Sequence, residues 1–262
     1  MDLGLRDKVV FISGGSRGIG LSTAAAFAFE GSKVAIAARG PESLAKARER
    51  LAEAAGEGRF LVIQSDMTSE KDIERTLDLV EGELGLLYAV VANVGSGAGQ
   101  PGYEHLDRSI WQAALEVNLL SSVLLADAAL PRLTKQGRGS VCLVSSIAGM
   151  EAIKAPIPYS AAKAGLMAAM KSYAKEVGSA GVRVNAVAPG NVLFDGGAWA
   201  KKLADPEKRA SFDNYIRQDV ALQRFATPEE IANVIVYVSC ERASFMSGST
   251  VVVDGGQTRF VF

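Results

Sequence analysis

Seven short runs rich in β-branched residues, at positions 9–13, 33–37, 60–64, 86–92, 140–145, 182–188 and 250–253, alternate along the chain with longer stretches of helical spacing. Most of these runs are apolar at every residue rather than at every second one. That is the pattern of strands covered on both faces of a parallel sheet. The intervening stretches, among them 20–30, 42–55, 70–84, 110–133 and 159–177, supply the covering helices. Strand–helix repetition of this kind predicts right-handed βαβ units and a single doubly wound α/β domain over residues 1–262, with a seven-stranded parallel sheet. The alternation breaks once, at about 191–224, where mixed charges and aromatics follow the sixth strand. Open α/β sheets bind ligands beyond the carboxyl ends of their strands, so an irregular insertion there reads as a substrate lid.

Composition narrows the function classes. Of 262 residues, 48% are hydrophobic and 22% charged, enough for a sizeable core. The formal net charge of -1 gives no basic excess of the kind a nucleic-acid or membrane-surface partner requires. The two cysteines, Cys142 and Cys240, each sit in an apolar run, which argues against a disulfide framework or a metal site and for a reducing compartment. The first residues lack the apolar core of a signal peptide, and no apolar stretch approaches the roughly 18 residues that a membrane span requires. The expectation is a cytoplasmic protein with no membrane or nucleic-acid partner.

The first strand runs into Ser13-Gly14-Gly15-Ser16-Arg17-Gly18-Ile19-Gly20 and then an alanine-rich helix. Gly14, Gly18 and Gly20 permit a tight turn and close approach of a ligand to the backbone of Ser16, Arg17 and Ile19. The N–H groups of the following helix then favour a pyrophosphate. The spacing is G-x-x-x-G-x-G rather than the commoner G-x-G-x-x-G, and its position after the first strand makes it a dinucleotide site. The second strand ends Ala37-Ala38-Arg39, with no carboxylate to bind a ribose diol. Arg39 and Arg17 together suit a 2′-phosphate; either alone reads equally well as a solvated charge. NADP(H) is therefore expected over NAD(H), with NAD(H) still admissible.

Tyr159 and Lys163 lie four residues apart, one turn along a helix face. A cation about 4 Å from a phenol is worth about 4 kcal/mol at an effective dielectric near 20. At about 1.4 kcal/mol per pKa unit, Lys163 is expected to lower the Tyr159 pKa by up to roughly three units, making it a general acid/base. Ser146, just past the fifth strand, is placed to bond a carbonyl oxygen, although a turn cap carries the same letters. Asn118 lies in an otherwise apolar helix, where its amide must find partners. Either core groups or an ordered water leading to Lys163 would supply them.

In order and spacing these residues resemble the short-chain dehydrogenase/reductase family over nearly the whole chain, from about Lys8 to Gln257. Gly14, Gly18 and Gly20 match its cofactor turn, and Asn118, Ser146, Tyr159 and Lys163 its catalytic tetrad. The resemblance implies a Rossmann-like fold and places Asp66 and Met67 at the adenine. It sets Asn93 and Gly95 beside the cofactor after the fourth strand, although Ala92 and Val94 depart from the family's Asn-Asn-Ala-Gly. Pro189 and Gly190, with the Val192 backbone, would support the nicotinamide, and Tyr159 and Lys163 would also touch the cofactor. Phe194 stands where the family commonly has a threonine, so a hydroxyl contact to the cofactor is lost. Ala180 replaces an arginine frequent in acyl-carrier-protein reductases, and the Tyr-x-x-x-Met-x-x-x-Lys of trans-enoyl reductases is absent.

The resemblance implies an oxidoreductase that interconverts a ketone and a secondary alcohol. A 3-oxoacyl thioester reductase is its enzymatic alternative and a non-catalytic dinucleotide sensor the alternative of another class. It also implies a homotetramer paired through the 110–133 and 159–177 helices. His105, the one histidine, lacks a G-x-S-x-G companion and reads as a surface residue. Cys142, Cys240 and Trp111 read as packing. Trp199, Phe212 and Tyr215, in the insertion, either line an apolar substrate pocket or anchor the lid.

Overall fold

The computed structural model describes residues 2–55, 58–97, 99 and 101–260. Residues 1, 56, 57, 98, 100, 261 and 262 of the expected domain lie outside the described residues. Strands β1 (Val9–Ser13), β2 (Lys33–Ala38), β3 (Phe60–Gln64), β4 (Leu87–Ala92), β5 (Gly139–Val144), β6 (Val182–Pro189) and β7 (Thr250–Val253) form one sheet in the order β3-β2-β1-β4-β5-β6-β7. Every pairing is parallel. Helices α1 (Gly18–Phe29), α2 (Pro41–Ala55), α3 (Glu70–Leu84), α4 (Arg108–Leu115), α5 (Ser121–Gln136) and α6 (Ile157–Val177) fill the crossovers up to β6.

Successive strand residues point to opposite faces, and in β1 both faces are covered. Val9 and Phe11 pack with Leu77 of α3, Leu133 of α5 and Leu166 of α6. Val10 and Ile12 pack instead with Phe27 of α1 and Leu51 of α2. This double cover is why the strands carry no polar alternation. Cys142 and Cys240 are buried and unpaired, and His105 is exposed.

Three expectations need correction. The helix expected over 110–133 is α4 and α5 joined by a π-helical turn, Glu116–Leu120, in which Asn118 sits. Taken as one rod, Arg108–Gln136 contains an 18-residue window of mean hydropathy 1.6, long and apolar enough by those measures to cross a membrane. No such stretch was expected, because Glu116, Asn118 and Asp127 break the apolar run, while the leucines, valines and alanines between them keep its mean high. In the fold, Leu125, Ala129 and Leu133 of this rod are buried in the core.

The 191–224 insertion is also not irregular. It contains α7 (Ala198–Leu203) and α8 (Pro206–Asp219), the latter capped by Asp205, whose carboxylate accepts from the Glu207 N–H at 3.1 Å. Its base is closed. The Leu193 N–H donates to the Ala226 carbonyl (3.0 Å) and the Ala226 N–H to the Asn191 carbonyl (2.9 Å). Helix α9 (Pro228–Ser239) follows at once, with a reciprocal capping box between Thr227 and Glu230.

Candidate active site

Between β1 and β4 the strand order reverses, which opens a crevice at their carboxyl ends. Two hydrogen bonds fasten the loops there: the Asn93 N–H donates to the Ser13 hydroxyl (3.1 Å), and Asn93 Nδ2 to the Gly14 carbonyl (3.1 Å). Gly20 lies against this joint, where a Cβ would meet the Gly14 oxygen at 2.3 Å. Gly18 has a φ of +53°, a conformation side chains disfavour. Helix α1 starts at Gly18 without a side-chain cap and without an acidic residue in its first turn. Its leading N–H groups therefore face the crevice unneutralised, the donor set that a pyrophosphate needs.

Around this turn the other expected cofactor residues fall as follows. Ser16 accepts a hydroxyl–hydroxyl bond from Ser43 of α2 at 3.1 Å, and Arg17 and Arg39 are both exposed at the same rim. Ile19 packs against the core beneath the turn. Asp66 follows β3 and accepts from the N–H (3.0 Å) and hydroxyl (2.9 Å) of Thr68. The Thr68 backbone bond is the main cause that holds the Asp66 carboxyl below its ordinary pKa, with Arg39 adding to it against the cost of burial. Met67 is 3% exposed and belongs to the core, so only its backbone is available to a ligand. Phe194 does more than omit a hydroxyl. Its ring lies on the turn, 2.6 Å from where a Gly18 Cβ would be and 3.0 Å from a Gly197 Cβ.

The expected catalytic residues converge at the end of β5. Ser146 accepts from the Ala148 N–H at 3.1 Å and so caps the 3-10 turn Ile147–Gly149. The same hydroxyl lies near enough to Tyr159 to pull its phenol pKa down. The cap and the substrate-side roles are therefore compatible, since one oxygen accepts while its proton donates elsewhere. Close packing brings this turn to α6: a Cβ on Gly149 would stand 2.6 Å from the Ala164 nitrogen. The Ser145 hydroxyl donates to the Lys163 carbonyl at 2.9 Å, a contact foreshadowed only by two serines ending an apolar strand.

Lys163 is 3% exposed and its ammonium donates to the Val144 carbonyl at 2.8 Å. Burial pushes its pKa down to about 8. Tyr159 is half-buried, and loss of water raises its phenol pKa, with the Ser146 hydroxyl pulling the other way. The expected lowering of the Tyr159 pKa by Lys163 is thus not found in the free protein. The physical reason is that lysine, itself short of water, is engaged with a backbone carbonyl instead. The Asn118 amide finds a protein partner at each end. Oδ1 accepts from the Ser96 N–H (2.7 Å) and Nδ2 donates to the Ala114 carbonyl (3.0 Å). It binds the loop after β4 to the π turn, and Gly95 in that loop faces Lys163, with 3.2 Å between a Cβ there and Nζ.

On the far side of the cleft, the Gly190 N–H donates to the Val253 carbonyl at 2.9 Å. The bonds that close the insertion use Leu193 and Asn191, which turns the backbone of Val192 between them the other way. Trp199 meets Phe212 edge-on (5.6 Å), Tyr215 nearly parallel (6.0 Å) and Phe225 at a tilt (5.2 Å), with the Lys202 ammonium 4.5 Å from its ring centre. Rings that cover one another in this way anchor the insertion.

A family model described as enoyl-(acyl carrier protein) reductase matches residues 14–258. The chain is 33% identical over 258 residues to cis-4-hydroxycyclohexanecarboxylate dehydrogenase of Sinomonas cyclohexanicum, covering 96% of this chain and 97% of the relative. It is 31% identical over 259 residues to 3-oxoacyl-[acyl-carrier-protein] reductase of Aquifex aeolicus, covering 98% and 99%. L-sorbose reductase from Gluconobacter frateurii, solved with NADPH and L-sorbose, superposes over the full length of both chains with a TM-score of 0.92 at 30% identity. The chain belongs to the short-chain dehydrogenase/reductase family. It is a nicotinamide-dependent oxidoreductase acting on alcohol–carbonyl pairs.

Proposed function

We propose that the protein is an NADP(H)-preferring reductase of small ketones. The observation that carries this reading is the meeting of Ser146, Tyr159 and buried Lys163 within the crevice that the uncapped α1 N-terminus faces. When bound, the nicotinamide supplies a hydride to the carbonyl carbon or takes one back from the alcohol. The Gly14–Gly20 turn holds the pyrophosphate, and Asp66 with the Met67 backbone the adenine. Asn93 and Gly95 shape the floor, and Pro189, Gly190 and the Val192 backbone face the nicotinamide. Ser146 orients the carbonyl oxygen and Tyr159 gives it a proton. At neutral pH the raised phenol pKa keeps that proton in place, and an alkoxide is basic enough to take it. Lys163 binds the ribose, and Asn118 secures the π turn beside it. The α7–α8 excursion is the substrate lid of this single domain, held by the Trp199 cluster.

The NADP(H) preference rests on Arg17 and Arg39 flanking the Ser16–Ser43 pair where a diol-binding acid would stand. A hydrogen bond to a charged group is worth about 1.5–3 kcal/mol, so Arg39→Ala should weaken NADPH about ten- to a hundredfold and NADH hardly at all. Ala38→Asp should go further by adding repulsion. Measuring kcat/KM with both cofactors on a panel of simple ketones and a β-ketoacyl thioester tests preference and substrate together. A parent that prefers NADH, or an Arg39→Ala variant that loses both cofactors equally, would refute the phosphate clamp. The thioester arm addresses the one rival that a relative supports, the Aquifex aeolicus acyl-carrier-protein reductase, against which Ala180 counts.

Assembly as a homotetramer through the 110–133 stretch of α4 and α5 and through α6 belongs to the same proposal, with Leu120 of the π turn and Ile157 at the start of α6 exposed. Light scattering should return four times the 27.5 kDa chain mass, and a monomer mass at micromolar concentration would exclude it. Two buried, unpaired cysteines fit the cytoplasm.

A further inference from the structure

After β7 the chain curls back into the molecule. The Asp254 carboxylate accepts from the Gly256 N–H (2.9 Å), the Thr258 N–H (2.7 Å) and the Thr258 hydroxyl (2.7 Å). The turn so formed carries Gln257 to a position only 7% exposed. Its Oε1 accepts from Asn191 Nδ2 at 2.7 Å, and its Nε2 donates to the Tyr215 hydroxyl at 2.7 Å. Asn191 directly follows Pro189-Gly190, and Gly190 lies so close to this turn that a Cβ would be 2.8 Å from the Asp254 Cα. Tyr215 belongs to α8 and stacks on Trp199. Two residues on, the Arg259 N–H donates to Glu151 (2.8 Å), in the loop between Ser146 and Tyr159, and its guanidinium to Asp219 (3.3 Å), at the end of α8.

We infer that Gln257 is a positioning residue for the carbonyl substrate: its amide ties the α7–α8 excursion to the strand end that carries Pro189 and Gly190, and so sets the width of the cleft above Ser146 and Tyr159. The inference rests on the ketone-reductase reading. The position calls for a side chain that accepts from one partner and donates to the other across a buried gap, and an amide does both. An apolar replacement strands the Asn191 amide and the Tyr215 hydroxyl without partners. Asn191 lies between Gly190 and Val192 at the nicotinamide end and Tyr215 on the α7–α8 excursion, and neither contact reaches the glycine turn or the end of β2. The pyrophosphate and adenosine ends of the cofactor are therefore held independently of Gln257.

The test uses Gln257→Met, which keeps length and volume and removes both bonds. The ketone KM should rise about three- to tenfold, the worth of a neutral hydrogen bond or two, while kcat and the NADPH Kd stay within about twofold. Tyr215→Phe should raise KM similarly, and the double variant should be no worse than either single, since both cut one chain. Gln257→Glu keeps an acceptor for Asn191 and offers the Tyr215 hydroxyl a second oxygen, so it should restore KM. An unchanged KM in Gln257→Met overturns the inference. So do additive losses in the double variant, or KM, Kd and Tm worsening together without rescue by glutamate, which would mark a merely structural residue. Should the parent reduce no ketone, the reductase reading fails but the tie is still readable by amide hydrogen exchange. Gln257→Met must then accelerate exchange in α8 and leave α1 unchanged, and equal exchange in both proteins overturns it.

Discussion

Replacing Tyr159 by phenylalanine is expected to abolish carbonyl reduction while leaving NADPH affinity within a few-fold. The substitution deletes one oxygen from a half-buried ring and leaves the ring's packing at the start of α6 intact. What disappears is the proton donor, and a positioned acid or base is worth about 10²–10⁴ in rate. The Ser146 hydroxyl keeps the Ala148 N–H at 3.1 Å, so the 3-10 turn should hold its shape. Ser146 alone cannot substitute, because a serine hydroxyl is a far weaker acid than a phenol. Stopped-flow hydride transfer and equilibrium NADPH titration separate the two effects. Turnover near the parent's would refute the assigned mechanism, and a cofactor Kd worsened as much as the rate would mean that Tyr159 acts chiefly in binding.

The strands were readable because burial on both faces writes itself into consecutive residues, and β1, β3 and β7 match their expected bounds. The convergence of Ser146, Tyr159 and Lys163 was readable because the Tyr159–Lys163 spacing is one helical turn and Ser146 ends a strand. Helices α8 and α9 also carry local start signals, Asp205-Pro206-Glu207 and Thr227-Pro228-Glu229-Glu230. Dense mixed charge hid the first, and the second begins directly after the insertion. Other features have no local signature. A π turn uses the same residues as an α-helix. Asn118 finds Ser96, and Gln257 finds Asn191 and Tyr215, only because the sheet brings distant segments together. The carbonyl that holds Lys163 belongs to a strand end whose side chain says nothing about it. For the same reason sequence spacing paired Lys163 with the phenol, whereas desolvation and a backbone acceptor govern the lysine in the free protein.

That lysine makes the second large prediction. Lys163→Met should remove turnover, because the ammonium proposed to bind the ribose goes, and should at the same time stabilise the free protein at low and neutral pH. The sign follows from linkage. Burial lowers the Lys163 pKa from the ordinary 10.5 to about 8 in the folded state. Below about 8 both folded and unfolded chains carry the charge, and the folded one bears the full cost of holding it out of water. At about 1.4 kcal/mol per unit, that cost is on the order of 3 kcal/mol. Between about 8 and 10.5 the folded chain sheds the proton first, the unfolded chain binds more protons, and parent stability rises with pH. Methionine carries no such cost but forfeits the 2.8 Å bond to Val144, which offsets part of the gain. The variant should therefore outlast the parent in urea at pH 6 to 7, with a margin that shrinks as the pH climbs through 8 and 9. A margin that stays constant over that range would show that Lys163 does not titrate there. A variant less stable than the parent at pH 6 would show that the Val144 bond outweighs the burial of charge.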